Sequence, residues 1–166
     1  MSTSLKWKKG FFKSTCEIIS GGNIVGWLKD STWRQSSEAE INGKKYTFKT
    51  KGFFKQETQI IDSGNQVIGK ISYNAWMSKA IIEYSGKTVN WKYDNIINTK
   101  WSISDSLGNI ISYKGSFTKG EIEYDIQDDL LLLTGLYIED YYSQVASSAV
   151  IVSVVTISLA VSRAMR

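Results

Sequence analysis

The sequence predicts a mainly β protein, a twelve-stranded closed β-barrel built from three four-strand repeats around a central apolar C-terminal helix. Three observations lead there. Residues 9–23 recur at 51–65 with nine of fifteen positions identical, and a weaker copy runs from Trp101 to Asn109, so Gly-Asn stands at 22, 64 and 108. A fixed period of 42 to 44 residues marks one supersecondary unit used three times. Six Trp, nine Tyr and six Phe, with no Pro among 166 residues, favour strands. Where a fourth copy would begin, the chain instead gives Asp128-Asp129-Leu130-Leu131-Leu132-Leu133.

Each copy opens with an aromatic-Lys step, Trp7-Lys8, Phe48-Lys49 and Trp91-Lys92. Around the second of these, Tyr46 and Phe48 alternate with Lys45, Thr47 and Lys49, a period of two that reads as a strand with aromatics inward and lysines outward. A second strand (Glu17-Ile18-Ile19, Gln59-Ile60-Ile61, Trp101-Ser102-Ile103) leads into the Gly-Asn turn, where both residues tolerate positive φ. The third strand follows at Ile24–Trp27, Val67–Lys70 and Ile110–Tyr113, and the fourth at Glu38–Ile41, Lys79–Tyr84 and Glu121–Ile126. Asn42-Gly43-Lys44 and Ser85-Gly86-Lys87 turn the chain into the next copy.

A barrel of about eight strands fills itself with side chains, so twelve strands require a plug. Four consecutive leucines at about 100° per residue point around most of a helix circumference, as expected of a helix buried on all sides. The plug helix is placed at about 128–142, with Asp128 and Asp129 complementing its N-terminal dipole and free N–H groups. A buried last strand over 129–138 is the competing assignment for so short an apolar run.

The composition narrows function mainly by exclusion. One Cys and no His remove disulfide frameworks, zinc sites of the usual kind and histidine-based catalysis. Cys16 reads as an ordinary strand residue, and no convergent acid, base and nucleophile can be named. The chain is therefore expected to be non-enzymatic, with no cofactor and no metal. The start, Met1 to Lys9, is charged without an apolar core behind it and does not read as a secretory signal, so the barrel is expected on the cytoplasmic side. Residues 1–57 hold 11 basic and 5 acidic side chains, against 3 and 7 in 116–166.

The Gly-Asn hairpins, the Gly-Lys turns and the acidic entry into an apolar helix at Asp128-Asp129-Leu130-Leu131 give residues 5–143 a resemblance to the tubby C-terminal-like superfamily, closest to its LURP-one-related and phospholipid scramblase-like branch. The resemblance implies a barrel closed around an apolar helix and an activity of binding acidic phospholipid headgroups. The Pro-rich tail and cysteine cluster of scramblases have no counterpart in a chain with no Pro and one Cys.

The candidate lipid-binding residues are Lys6, Lys8, Lys9, Lys13, Lys44, Lys45, Lys49 and Lys51, with Lys55 beside them, expected to form one patch on neighbouring strands of the first two copies. Lysines near an anionic bilayer contribute about 1 kcal/mol each. A nucleic acid partner is disfavoured, because Trp7 and Phe48 should point into the barrel instead of stacking on bases. The carboxylates Glu121, Glu123, Asp125, Asp128 and Asp129 lack the spacing of an EF-hand loop and read as capping and a solvated strand face.

The domain division is a barrel over 1–143 and an apolar C-terminal segment over 144–166. Val145 to Ser162 is an uncharged run of eighteen, with tyrosines before it and Arg163 and Arg166 after it. That length is at the short end for crossing about 30 Å of hydrocarbon. Three alternatives stay open for it: a membrane anchor, a second candidate for the barrel plug, or a self-association surface. The functional expectation is a membrane-associated barrel that binds acidic phospholipid headgroups. The other reading is a soluble scaffold or protein-interaction module with the C-terminal segment buried in the barrel.

Overall fold

The computed structural model describes residues 3–10, 14–31, 36–51, 57–116 and 118–164, and of Ser31, Asn109 and residues 148–164 it describes the backbone alone. The strands are β1 (Thr3–Lys9), β2 (Thr15–Ser20), β3 (Asn23–Ser31), β4 (Ser36–Ile41), β5 (Lys44–Lys51), β6 (Glu57–Asp62), β7 (Val67–Tyr73), β8 (Lys79–Tyr84), β9 (Lys87–Tyr93), β10 (Lys100–Ser104), β11 (Asn109–Ser116) and β12 (Lys119–Tyr124), followed by α1 (Asp129–Ala164). Each strand pairs antiparallel with the next, and β12 returns to β1 with Thr3 opposite Tyr124 and Lys8 opposite Lys119. The closed ring leaves no open sheet edge.

The pleat sorts the side chains as the alternation requires. Trp7, Phe48 and Trp91 are buried, while Lys8, Lys49 and Lys92, each one residue on, are exposed. The repeat extends to irregularities: the ladder shifts register after Ile18, Ile60 and Ile103, the same place in each copy. Asn42 and Gly43 have φ of 50° and 77°, and Ser85 and Gly86 have 48° and 73°, the paired left-handed conformations of two-residue hairpins. In the first copy the turn falls on Gly21-Gly22, one residue earlier than expected, because both glycines accept positive φ and Asn23 is then free to pair with Ser20.

Helix α1 threads the barrel. Every residue from Leu130 to Ile138 is buried, which a helix lying on one face could not achieve. The wall bonds to it from several sides. Trp91 of β9 donates its indole N–H to the Gly135 carbonyl at 3.1 Å, and the Tyr113 hydroxyl of β11 donates to the Leu131 carbonyl at 3.1 Å. On the far side Tyr137 stacks on Phe48, with ring centroids 4.3 Å apart, and its hydroxyl lies 3.0 Å from Thr50 Oγ1 and 3.2 Å from Thr58 Oγ1. Residues 129–138 are thus helical and fill the interior.

Asp128 caps the helix, its Oδ1 accepting the Leu131 N–H at 3.1 Å. Asp129 is tied to the β4–β5 turn by Asn42 Nδ2 at 2.9 Å and Lys44 Nζ at 3.3 Å. At its other end the helix passes the expected stop near 142 and continues to Ala164. No Gly or Pro follows Gly135, so nothing in the sequence ends it. A 36-residue helix is about 54 Å long, against about 17–30 Å for strands of five to nine residues, so its C-terminal half extends beyond the barrel rim.

Candidate functional site

The helix gives the barrel two distinct ends. It enters where the two-residue hairpins lie, beside Asn42 and Lys44, and leaves where Lys9 of β1 and Asn74 at the end of β7 meet Asp140 and Tyr142. Carboxylates gather at the entry end, in Asp62, Asp105, Asp125, Asp128 and Asp129. Lysines gather at the exit end.

The candidate lysines do not form the expected single patch. Lys6, Lys8 and Lys9 are on β1, and Lys44, Lys45, Lys49 and Lys51 are on β5, and β2, β3 and β4 stand between these strands, about a third of the circumference. Sequence proximity within the repeat had suggested adjacency that the ring denies. Lys44 is engaged with Asp129, and Lys45 lies 3.9 Å from Glu40. Lys6 faces Glu121 across the ladder, and Lys51 faces Glu57. Lys9 turns inward and pairs with Asp140. Lys13, like Lys55, lies outside the described residues.

The register reveals a different set of lysines. Three pairs sit directly opposite one another near the exit rim, Lys8 with Lys119, Lys79 with Lys92, and Lys100 with Lys114. Directly opposed like charges destabilise a sheet. Toward the middle of the barrel, lysines face carboxylates instead, as in Lys70 with Glu83 at 2.8 Å. Among the described residues, Lys8, Lys79, Lys100, Lys114 and Lys119 form no ion pair, and Lys92 has Asp94 at 3.6 Å. Lys8 retains Glu17 as its register partner on β2, and Lys114 retains Glu121 on β12.

Apolar side chains project from the same rim. Trp76 in the β7–β8 connection is 87% exposed, and Ile96 and Ile97 in the β9–β10 connection are 100% and 75% exposed. These two loops are built alike. Asn74 Oδ1 accepts the backbone N–H groups of Ser78 and Lys79 at 2.9 and 3.0 Å, and Asn95 Oδ1 accepts those of Thr99 and Lys100 at 2.9 and 3.1 Å. The carboxamide thus fixes the loop, and the residues between are held outward. The connections between β1 and β2, β3 and β4, and β5 and β6 carry Phe11-Phe12, Trp33 and Phe53-Phe54 in sequence, outside the described residues. The entry end exposes Ile24, Val67, Leu107 and Ile126 too, but at the end where the carboxylates gather.

Inside the exit mouth lies a cluster of ionisable groups. Asp140 of α1 accepts from Lys9 Nζ and from Gln144 Nε2, Asp30 of β3 accepts from Ser37 Oγ at 2.6 Å and from Gln144, and Lys9 Nζ is 3.9 Å from Asp30. Burial and the neighbouring Asp140 raise the carboxyl pKa of Asp30. Burial alone would raise Asp140 too, but the hydrogen bond with Asp30 and the Lys9 charge hold it below the usual carboxylate range. Burial, then the Asp140 charge, pushes Glu139 up to about 7. Cys16 is buried beside this cluster, and burial pushes its thiol up to about 12, so it is no nucleophile at neutral pH.

The exit rim was only partly accessible to sequence reasoning. The pattern Asn-x-x-x-Ser/Thr around apolar residues, Asn74 to Ser78 and Asn95 to Thr99, is visible in the sequence and marks both loops. The lysine pairs are not, because they depend on register. Among the described residues no helix is long and apolar enough to cross a membrane, and most side chains of the 145–162 run lie outside that description. Comparison with family models, curated proteins and solved structures finds no match to this chain.

Proposed function

We propose that this protein is a non-enzymatic, membrane-associated barrel that docks on an anionic phospholipid surface through its exit rim, with the C-terminal helix directed into the bilayer. The observation that supports it most is the coincidence of three features at one end: directly opposed lysine pairs, the exposed Trp76, Ile96 and Ile97, and the emerging helix. Like-charge pairs that cost stability in water are relieved by an anionic surface, at about 1 kcal/mol per lysine. Burying three exposed apolar side chains adds on the order of 5 kcal/mol. The apolar run 145–162 lies within a continuous helix and spans about 27 Å. Attachment of this kind matches what the resemblance to the tubby-like and scramblase-like barrels implies, with Lys8 of β1 kept and the β5 lysines replaced by those of the exit rim.

Co-flotation of the full chain with vesicles of phosphatidylcholine alone or with phosphatidylserine tests the proposal. Flotation is expected to increase with phosphatidylserine, and Trp76→Ser with Ile97→Ser should reduce it. Equal flotation of the double variant and the parent on every vesicle type would remove the rim from the function.

A further inference from the structure

Where two neighbouring strands are not joined by a loop at the exit rim, their ladder ends there in an open pair, and these pairs differ between two halves of the ring. Around β8, β9, β10, β11, β12 and β1, which follow one another in the barrel, the pairs are Lys79 with Lys92, Lys100 with Lys114 and Lys119 with Lys8. At the same level around β2 to β7 they are Thr15 with Lys29, Ser36 with Lys49 and Glu57 with Ser72. In that second half Lys29 also faces Glu38, and Lys51 faces Glu57. The lysines of the first half are all exposed. Against them stand Asp94, beside Lys92, and Glu121, which Lys114 shares with Lys6. Among the described residues, one half of the rim is therefore basic and the other close to neutral.

The apolar groups described at the rim fall on the basic half as well. Trp76 precedes β8, and Ile96 and Ile97 join β9 to β10. Next in from Lys79 on the outer wall, Ile81 is 46% exposed in a hollow of about 420 Å³ lined also by Ser72, Asn90 and Lys92. The spread of the charges decides the kind of partner. Six neighbouring strands cover about 24 Å of arc at about 4.8 Å per strand, so a small anion reaches one lysine pair, whereas a leaflet reaches all three. We infer that the barrel docks on its β8–β1 side, tilted on an anionic leaflet, with the three lysine pairs against the headgroups and the β2–β7 side raised away from them. The inference rests on the docking proposed above and assigns it a face. The helix then enters the bilayer obliquely, as spanning helices do by about 20° on average.

The test measures how much phosphatidylserine increases the partitioning of the full chain onto phosphatidylcholine vesicles. At about 0.1 M salt, charges are screened beyond about 10 Å. A twelve-stranded barrel is about 20 Å wide, so the lysines near the leaflet dominate the reading. Lys100→Gln with Lys114→Gln is compared with Lys29→Gln with Lys49→Gln, two exposed charges removed from each half. The first double variant is expected to lose at least tenfold of the gain, at about fivefold per lysine, and the second less than twofold. Equal losses in the two variants, in a protein whose parent responds to phosphatidylserine, would leave the docking in place and overturn the tilt. A parent that gains nothing from phosphatidylserine would overturn the docking and the tilt with it. Polyuridylate, titrated against the same proteins, tests another polyanion. Binding of it that the first variant loses, while vesicle partitioning stays unchanged, would give the face to nucleic acid and overturn its assignment to a leaflet.

Discussion

Tyr113 and Gly135 meet so closely that a Cβ added at Gly135 would lie 2.2 Å from the tyrosine hydroxyl oxygen. The hydroxyl passes over the helix backbone to reach the Leu131 and Leu132 carbonyls, and the Gly135 carbonyl receives the Trp91 indole from β9, two strands along the ring from Tyr113. The glycine is therefore a seat for the wall. Its cost in helix propensity, about 1 kcal/mol relative to Ala, is accepted for the contact.

Gly135→Ala should consequently destabilise the barrel despite its better helix propensity. Overpacking typically costs about 1–3 kcal/mol, and displacement of Tyr113 adds the loss of its hydrogen bonds. Urea denaturation of the two proteins measures the difference. A variant as stable as the parent would show that the helix shifts freely within the wall.

Among the described residues, Lys9 is the cation that faces Asp30, Glu139 and Asp140 inside the exit mouth. Lys9→Met should leave uncompensated carboxylates, at a cost on the order of 3 kcal/mol near neutral pH. The cost should shrink at pH 5, where protonation of the carboxyls removes the charge left behind. Equal losses at both pH values in thermal denaturation would contradict this.

The raised pKa values of Glu139 and Asp30 set a pH dependence with a definite sign. Between the ordinary carboxyl pKa near 4 and about 7, the folded protein holds protons that the unfolded chain releases, so stability falls as pH rises through that window and then levels. Asp140 acts oppositely at lower pH, its contribution being lost as pH falls through its lowered pKa. Glu139→Gln should flatten the slope between pH 5 and 7. An unchanged slope in that variant would place the titration elsewhere.

Much of the barrel was legible because strand signals are local. The aromatic-Lys steps at Trp7, Phe48 and Trp91 fixed which side of each strand faces inward, and Asn42-Gly43 and Ser85-Gly86 fixed two of the hairpins. The four leucines from Leu130 to Leu133 announced a helix buried on every side. The site was less legible because it depends on relations across the ring. Lys79 and Lys92 are thirteen positions apart in sequence and become opposed only through the β8–β9 register. Lys8 and Lys119 meet only because the barrel closes. Conversely, the lysines of β1 and β5, alike in the repeat, are separated by three strands.

Lys79→Gln should separate stability from binding. It removes one member of an opposed pair and leaves intact the Lys79 backbone carbonyl that accepts the Tyr142 hydroxyl at 2.6 Å. Stability should rise by a few tenths of a kcal/mol, up to about 1. Affinity for vesicles containing phosphatidylserine should fall about fivefold at low salt, the equivalent of about 1 kcal/mol. Loss of both together would mark Lys79 as a structural residue.

Hydrogen exchange of the full chain with and without phosphatidylserine vesicles reads the docking orientation directly. The amides of residues 74–79 and 94–100 should become protected on vesicles, while the entry-end turns at 42–43, 63–66 and 85–86 exchange as before. Protection of the entry-end turns, or no change at 74–79 and 94–100 in protein that floats with the vesicles, would contradict docking through the exit rim.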